Sequence, residues 1–101
     1  MTLKAAFVFL APNSNPETHR AWVKTPEVEV LTIAVANYAE AEKLIDGLIV
    51  NEKIGAIELC GGFGHEGVSR IKQQAAGRAA VGVVRFDLHP GLGCKSGDEL
   101  F

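Results

Sequence analysis

Long apolar segments and clusters of positive charge are both missing from this chain of 101 residues. Its longest apolar run, residues 5–11, is far shorter than the roughly 20 residues that a membrane-spanning helix needs. Although Lys4 before that run imitates a signal peptide, no clean cleavage site follows, and its valine and phenylalanine favour a strand. The net charge is −2, and lysine and arginine are scattered. We therefore expect neither nucleic acid nor a membrane as a partner.

Cysteine is also scarce, since Cys60 and Cys94 are the only two. Their separation fits neither a disulfide framework nor a zinc motif, which favours a reduced, cytoplasmic protein. The chain has no internal repeat and no low-complexity segment. With 48% apolar residues, its length is enough for the core of one domain and too short for two.

The apolar pattern alternates between strand-like runs and helical spacing. Apolar runs rich in valine, isoleucine and phenylalanine predict four strands, at residues 4–10, 28–36, 56–60 and 80–86. Capping signals and helical periodicity predict three helices. The first is short, begins at Pro16 and would pack on the rest of the domain through Trp22 and Val23. The second begins after Asn37 and continues to about residue 49, and the third covers about residues 65–76.

Strands separated by helices predict a small, open, four-stranded and mainly parallel sheet with flanking helices. This is an α/β fold, flavodoxin-like or truncated doubly wound. We assign residues 1–92 to this single domain and expect residues 93–101 to be a loose C-terminal tail or a docking arm. A four-stranded sheet leaves exposed edges, which predicts a homodimer or a higher homo-oligomer, with an edge strand or the tail at the interface.

The most informative segment follows the third predicted strand. Gly61, Gly62, Phe63 and Gly64 lead into the start of a helix at His65. Glycine permits close backbone approach, and a helix start offers unpaired N–H groups and partial positive charge. The loop therefore predicts a cradle for phosphate or carboxylate, with His65 or Glu66 handling a proton. The alternative is a tight turn that needs glycine only for its geometry.

This segment does not match a nucleotide-binding motif. It contains Gly-x-Gly-x-x-Gly from Gly62 to Gly67, but the required acidic residue would have to be Asp87, at the end of the next strand. It also lacks the Gly-Lys-Ser/Thr of a P-loop. We accordingly predict no nucleotide cofactor.

A second group of candidates follows the fourth predicted strand. Arg85, Asp87 and His89 alternate, so an extended backbone would direct all three to one side. Asp87 would then orient His89 as an acid–base pair. A surface turn introduced by His89-Pro90 is the alternative. Arg85 and Glu58 are each a charge within an apolar strand, which predicts either a structural ion pair or an Arg85 that binds a substrate carboxylate.

Cys60 and the histidines allow two further kinds of site. Cys60 precedes a helix start, which would favour its thiolate and nucleophilic catalysis, but cysteine is also a common small core residue. A divalent metal would need ligands that only the fold could bring together, namely His19, His65, His89, Asp87 and Glu66. No cofactor is predicted from these residues, and the metal stays an open alternative.

Two motifs carry a resemblance to a known group of proteins. ELCGGFGHEG at residues 58–67 and VVRFDLHPGL at residues 83–92, together with the opening KAAFVFLAP, resemble an uncharacterised family of short bacterial single-domain proteins, a domain of unknown function. The resemblance covers residues 4–92 and leaves the segment from Gly93 onward outside it. It implies a bacterial single-domain protein and no particular activity.

Taken together, the residues favour a protein that binds a small anionic ligand at the carboxyl ends of its strands, with proton transfer by His65 or by the Asp87–His89 pair. A non-catalytic sensing module or an oligomeric assembly module is the alternative. The sequence leaves open whether the protein is an enzyme.

Overall fold

The computed structural model describes residues 2–101 and has five strands and two α-helices. The strands are β1 Leu3–Leu10, β2 Arg20–Lys24, β3 Val28–Val35, β4 Ala56–Leu59 and β5 Ala80–Val83, and the helices are α1 Tyr38–Val50 and α2 His65–Ala75. Two short 3₁₀ turns follow, at Pro90–Leu92 and Gly97–Glu99. The α/β class, the four predicted strands and the two longer helices are confirmed.

The sheet has the order β2-β3-β1-β4-β5. Strands β3, β1, β4 and β5 are parallel, and β2 runs antiparallel to β3 at the edge. Counted along the chain, the parallel strands follow the flavodoxin-like pattern, because the second and third of them lie on either side of the first.

The predicted short helix after Pro16 is wrong, and so is the count of four strands. Asn15 does cap one turn, since its side chain accepts a hydrogen bond from Glu17 N–H at 2.9 Å. The chain then extends into β2, where Trp22 packs on the core and the backbone pairs with β3. Tryptophan and valine suit this half-buried strand, and the hairpin gives the segment backbone partners that an isolated helical turn lacks.

Both helices lie on one face of the sheet. They pack on each other, and their apolar residues share a single core with β1, β3 and β4. Right-handed crossovers explain this, because the β3-to-β4 and β4-to-β5 connections progress in the same direction across the sheet. The connection from β1 to β3 progresses the other way, but it contains β2 instead of a helix. Within residues 2–101, no helix or strand therefore covers the second face of the sheet.

The helices begin where the sequence placed their starts. Asn37 caps α1 by accepting a hydrogen bond from Glu40 N–H at 2.9 Å, and Glu40 accepts one from Ala36 N–H at 2.7 Å. Helix α2 begins after Gly64, which has no side chain to cap it. None of the helices in residues 2–101 is long and apolar enough to cross a membrane.

Candidate functional site

The predicted site residues gather at the edge of the sheet where the parallel strands end. Cys60 and the glycine loop follow β4, and residues 84–89 follow β5. His65 Nε2 lies 3.8 Å from Asp87 Oδ1, so the two turns meet although they are more than 20 residues apart in sequence. The sheet topology thus brings the two motifs to one place.

The glycine loop directs its N–H groups into the protein. Gly62 N–H donates to the Cys60 sulfur at 3.3 Å, Phe63 N–H donates to the Cys60 carbonyl at 3.0 Å, and Gly64 N–H donates to the Tyr38 hydroxyl at 2.9 Å. The Cys60 sulfur also accepts a hydrogen bond from Leu10 N–H at 3.4 Å, which ties the loop to β1. While these bonds hold, those three N–H groups are engaged within the chain and do not face a ligand.

The start of α2 already holds a carboxylate, that of Asp98. Glu66 N–H donates to Asp98 Oδ2 at 3.1 Å and Gly67 N–H donates to Asp98 Oδ1 at 3.2 Å. The Tyr38 hydroxyl donates to the same Oδ1 at 2.8 Å. Asp98 thus supplies, from far along the chain, the capping carboxylate that Gly64 cannot provide. The anion expected at this helix start is a side chain of the protein.

This contact changes the pKa of both acidic groups. Partial burial opposes the charge on Asp98, but the hydrogen bonds from Glu66, Tyr38 and Gly67 outweigh it and hold the pKa of the carboxyl below its usual range. Burial raises the pKa of Tyr38 to about 12, with a further contribution from the Asp98 carboxylate, against the opposing effect of the Gly64 N–H bond. Asp98 is therefore charged and Tyr38 protonated at neutral pH.

The glycines here are required by close packing. A Cβ on Gly61 would enter the Phe86 ring, one on Gly64 would enter the Asp98 carboxyl group, and one on Gly97 would collide with the Gly62 carbonyl. None of these three needs a positive φ. The turn therefore fits the geometric interpretation of its glycines, with neighbouring side chains occupying the space that they leave.

Residues 93–101 pack against the domain and are not loose. Ser96 accepts a hydrogen bond from Asp98 N–H at 3.1 Å, while Ser96 N–H donates to the Glu99 carboxylate at 3.3 Å. This capping box fixes the turn that presents Asp98, and the Phe101 ring lies 6.1 Å from the Tyr38 ring. In parallel sheets with this strand order, ligands bind near the ends of β1 and β4. Here Gly97 packs on Gly62 beside that position.

A pocket of about 150 Å³ lies next to this packed turn, between the start of α2 and the residues after β5. Its lining is largely apolar, with a histidine and an arginine among the lining residues, which are Phe63, Gly64, His65, Val68, Val83, Val84, Arg85 and Phe86. An apolar cavity of this size in another protein accommodates benzene. The pocket therefore has room for a small ligand with an apolar body.

Arg85, Asp87 and His65 form a polar cluster beside this pocket. The Arg85 Nε and Nη2 atoms each lie 2.9 Å from Asp87 Oδ1, so the guanidinium pairs with that carboxylate. A guanidinium has five N–H donors, so donors remain for a second anion. The side chains of Arg85 and Asp87 are 61% and 70% exposed, and an ion pair so exposed contributes little to stability. The predicted pair of Arg85 with Glu58 does not form, because Glu58 is opposite Gly82 in the sheet and is exposed.

The other candidates lie apart from this cluster. His89 accepts a hydrogen bond from Gly91 N–H at 3.0 Å, and its ring lies 4.7 Å from the Phe86 ring, so Asp87 pairs with Arg85 instead of orienting His89. His19 accepts a hydrogen bond from Asn15 N–H at 2.9 Å in the loop before β2. Cys60 is not among the described residues that line the pocket. Within residues 2–101, no three histidine, cysteine or acidic side chains come close enough together to hold a metal ion.

Sequence reasoning missed Tyr38 and Asp98, which organise this edge of the sheet. The Tyr38 ring stacks on Phe63 with centroids 5.4 Å apart, and the Arg70 guanidinium lies 5.6 Å from the ring on another side. One available signal was that the residue before α2 is Gly64, which has no side chain, so the helix needs a cap from elsewhere. Another was the Ser96-x-x-Glu99 capping pattern in the segment assigned to a tail.

Comparison with known proteins yields a family but no activity. No curated protein and no solved structure matches the chain. A model described as a family of unknown function matches residues 3–99, and it therefore extends past Gly93, where the sequence resemblance ended, and includes Asp98. Nearly the whole chain is covered, and the protein belongs to this family of unknown function, DUF6506.

Proposed function

We propose that this protein binds a small carboxylate-bearing molecule with an apolar body in the pocket between α2 and the residues after β5. The observation that carries this is the position of Arg85, which pairs with Asp87 and lines a largely apolar pocket. Few polar groups around an apolar cavity are typical of small-molecule sites. The apolar part would contact Val68, Val83 and Phe86, and the carboxylate would bind the donors of Arg85 that Asp87 leaves.

His65 is the residue best placed to handle a proton. It lines the pocket, and its Nε2 lies 3.8 Å from the Asp87 carboxylate, which is close enough to attract a protonated imidazole. Any proton transfer to or from a bound ligand would use this ring. His89 is less available for proton transfer, because its Nδ1 accepts a hydrogen bond from Gly91 N–H and its ring packs on Phe86.

A second candidate function is a non-catalytic sensing or assembly module. It is favoured by the packed glycine turn, whose N–H groups are engaged with Cys60 and Tyr38. Both candidates suit a reducing cytoplasm, since Cys60 and Cys94 are free thiols.

Benzoate and its neutral isostere benzamide test the ligand-binding proposal. Because the pocket is open to solvent, we expect benzoate to bind with a dissociation constant of about 1 mM, measured by ligand-observed NMR. Arg85→Gln should weaken benzoate binding about tenfold and leave benzamide unchanged. Lys24→Gln, which removes an exposed cation at the far edge strand, is the control and should change neither.

The two candidate functions give different results in this experiment. If Arg85 binds the anion, benzoate should bind more tightly than benzamide to the unchanged protein. This difference should disappear in Arg85→Gln. Equal affinity for the two probes, or benzoate binding that survives Arg85→Gln unchanged, would overturn the proposal and leave the module as the better account.

A further inference from the structure

The face of the sheet that lies away from the helices is apolar. In β1, Ala6 and Val8 are fully buried beneath the helices, so the alternate residues Leu3, Phe7 and Phe9 point to the other side. Phe7 and Phe9 stack there with ring centroids 6.4 Å apart. By the same alternation, Val23 of β2, which is 64% exposed, lies on this face.

Charge is nearly absent from this surface, which we call the open face. Along the strands, its positions are alanine, valine, leucine, phenylalanine, glycine and Thr32, and Glu58 is the one charged residue among the described strand positions. Thr32, Phe7 and Glu58 are neighbours in one row across β3, β1 and β4. The two polar side chains therefore lie on either side of the central phenylalanine.

The open face has the area of the largest apolar patch on a typical monomer, and such a patch is often functional. Strands about 4.8 Å apart with a rise of about 3.3 Å per residue give each strand residue about 16 Å² of face, so the five strands present roughly 450 Å². This lies within the range of about 300–600 Å² for the largest apolar patch of a typical monomer. Two such faces packed together would remove about 900 Å² before the projecting side chains are counted, which approaches the area of a stable specific interface.

We propose that the open face is a homodimer interface, on which a second copy of this chain packs sheet against sheet. A two-fold axis along β1 brings Phe7 of the two copies together. The same axis sets Glu58 of each copy opposite Thr32 of the partner subunit, so the one charged side chain receives a hydroxyl donor. An unrelated apolar partner would leave Glu58 buried without such a group, which is costly.

This interface differs from the edge strand and tail that the sequence suggested. Edge strand β5 is only four residues long, and the C-terminal segment binds its own domain through Asp98. The open face has the larger apolar area, and its centre lies on β1, the middle strand.

A matched pair of substitutions at Thr32 tests the interface and the orientation of the two copies. Thr32→Glu would set two carboxylates against each other at both ends of the row, while Thr32→Lys would set an ammonium opposite Glu58. By sedimentation velocity, we expect a dimer for the unchanged chain, at least about tenfold weaker association for Thr32→Glu, and retained association for Thr32→Lys. Val50→Lys, at an exposed valine ending α1, is the control and should stay dimeric.

Circular dichroism shows whether each variant folds. If Thr32→Glu does not, Phe7→Cys in a Cys94→Ser background replaces it. A short bismaleimide should then join two chains through position 7, and should not join chains that have Cys94→Ser alone. A monomeric unchanged protein across the micromolar range, a Thr32→Glu dimer of unchanged affinity, or no cross-link through position 7 would overturn the proposal. None of these results depends on the Arg85 pocket.

Discussion

The Asp98 carboxylate accepts a hydrogen bond of 2.8 Å from the hydroxyl of Tyr38, although the two residues are 60 positions apart. Tyr38 begins α1, and Asp98 caps the start of α2. This one contact joins both helices to the C-terminal segment. It also explains why the turn after β4 is packed, since the phenol, the carboxylate and Phe63 fill the space beside its glycines.

Removing the charge of Asp98 should destabilise the protein. Asp98→Asn weakens the cap on α2 and its favourable interaction with the helix dipole, and we expect a loss of about 1–2 kcal/mol in the free energy of unfolding in urea. Asp46→Asn is the matched control, because Asp46 is an exposed partner of Arg78 and its loss should have a much smaller effect. Equal losses from the two variants would mean that Asp98 is no more than a surface charge.

The contribution of Asp98 should depend on pH in the acid range. Its pKa in the folded protein is lowered, so its stabilising effect is present above the unfolded-chain pKa of about 3.9 and disappears as pH falls through the lower folded value. The difference in unfolding free energy between the unchanged protein and Asp98→Asn should therefore shrink on acidification. A difference that stays constant from neutral pH into strong acid would contradict this assignment.

Tyr38 offers a direct optical measurement, because it is the only tyrosine in the chain. Its pKa is raised to about 12, so its phenolate absorbance should appear two pH units later than that of a free tyrosine. The stabilising effect of the protonated form is present below the unfolded pKa of about 10 and is lost as pH rises through 12. If Tyr38 instead titrates with the pKa of a free tyrosine while the protein is still folded, its hydroxyl is not buried against Asp98.

The close approach of the C-terminal segment makes Gly97 sensitive to substitution. In Gly97→Ala, the new methyl group would collide with the Gly62 carbonyl, a backbone atom with little freedom to move. We expect a loss of about 1–3 kcal/mol in unfolding free energy, together with faster hydrogen exchange at Glu66 and Gly67. Gly55→Ala is the control, since no atom lies within 4 Å of a Cβ at that position. If the two variants are equally stable, the C-terminal segment does not pack on the turn after β4.

Much of the fold follows from local sequence signals, and the candidate site follows only in part. The apolar runs of β1, β3, β4 and β5 and the cap at Asn37 indicate their elements directly. Residues 20–24 could not be assigned in this way, because one strand of five residues gains its stability from pairing with β3, and the apolar pattern of these residues does not show that pairing. The absence of a helix from the β1-to-β3 connection, and with it the open face, follows from this same segment.

The predicted residues His65 and Asp87 do lie at one edge of the sheet, but several of the predicted contacts differ. The rule that parallel strands end at one edge brings His65 and Asp87 together. The local pattern could not show that Asp87 pairs with Arg85, or that Asp98 comes back to the helix start. Both depend on how the chain turns after β5, where no periodic pattern constrains it.

The most direct test of the account is where an anion binds, measured by backbone amide NMR during a titration with benzoate. We predict the largest shifts at the pocket, in Val68, Val84 and Arg85, with small changes at Glu66 and Gly67, whose N–H groups stay bound to Asp98. Shifts concentrated at Glu66 and Gly67 would contradict the account, because benzoate would then be replacing Asp98 at the start of α2.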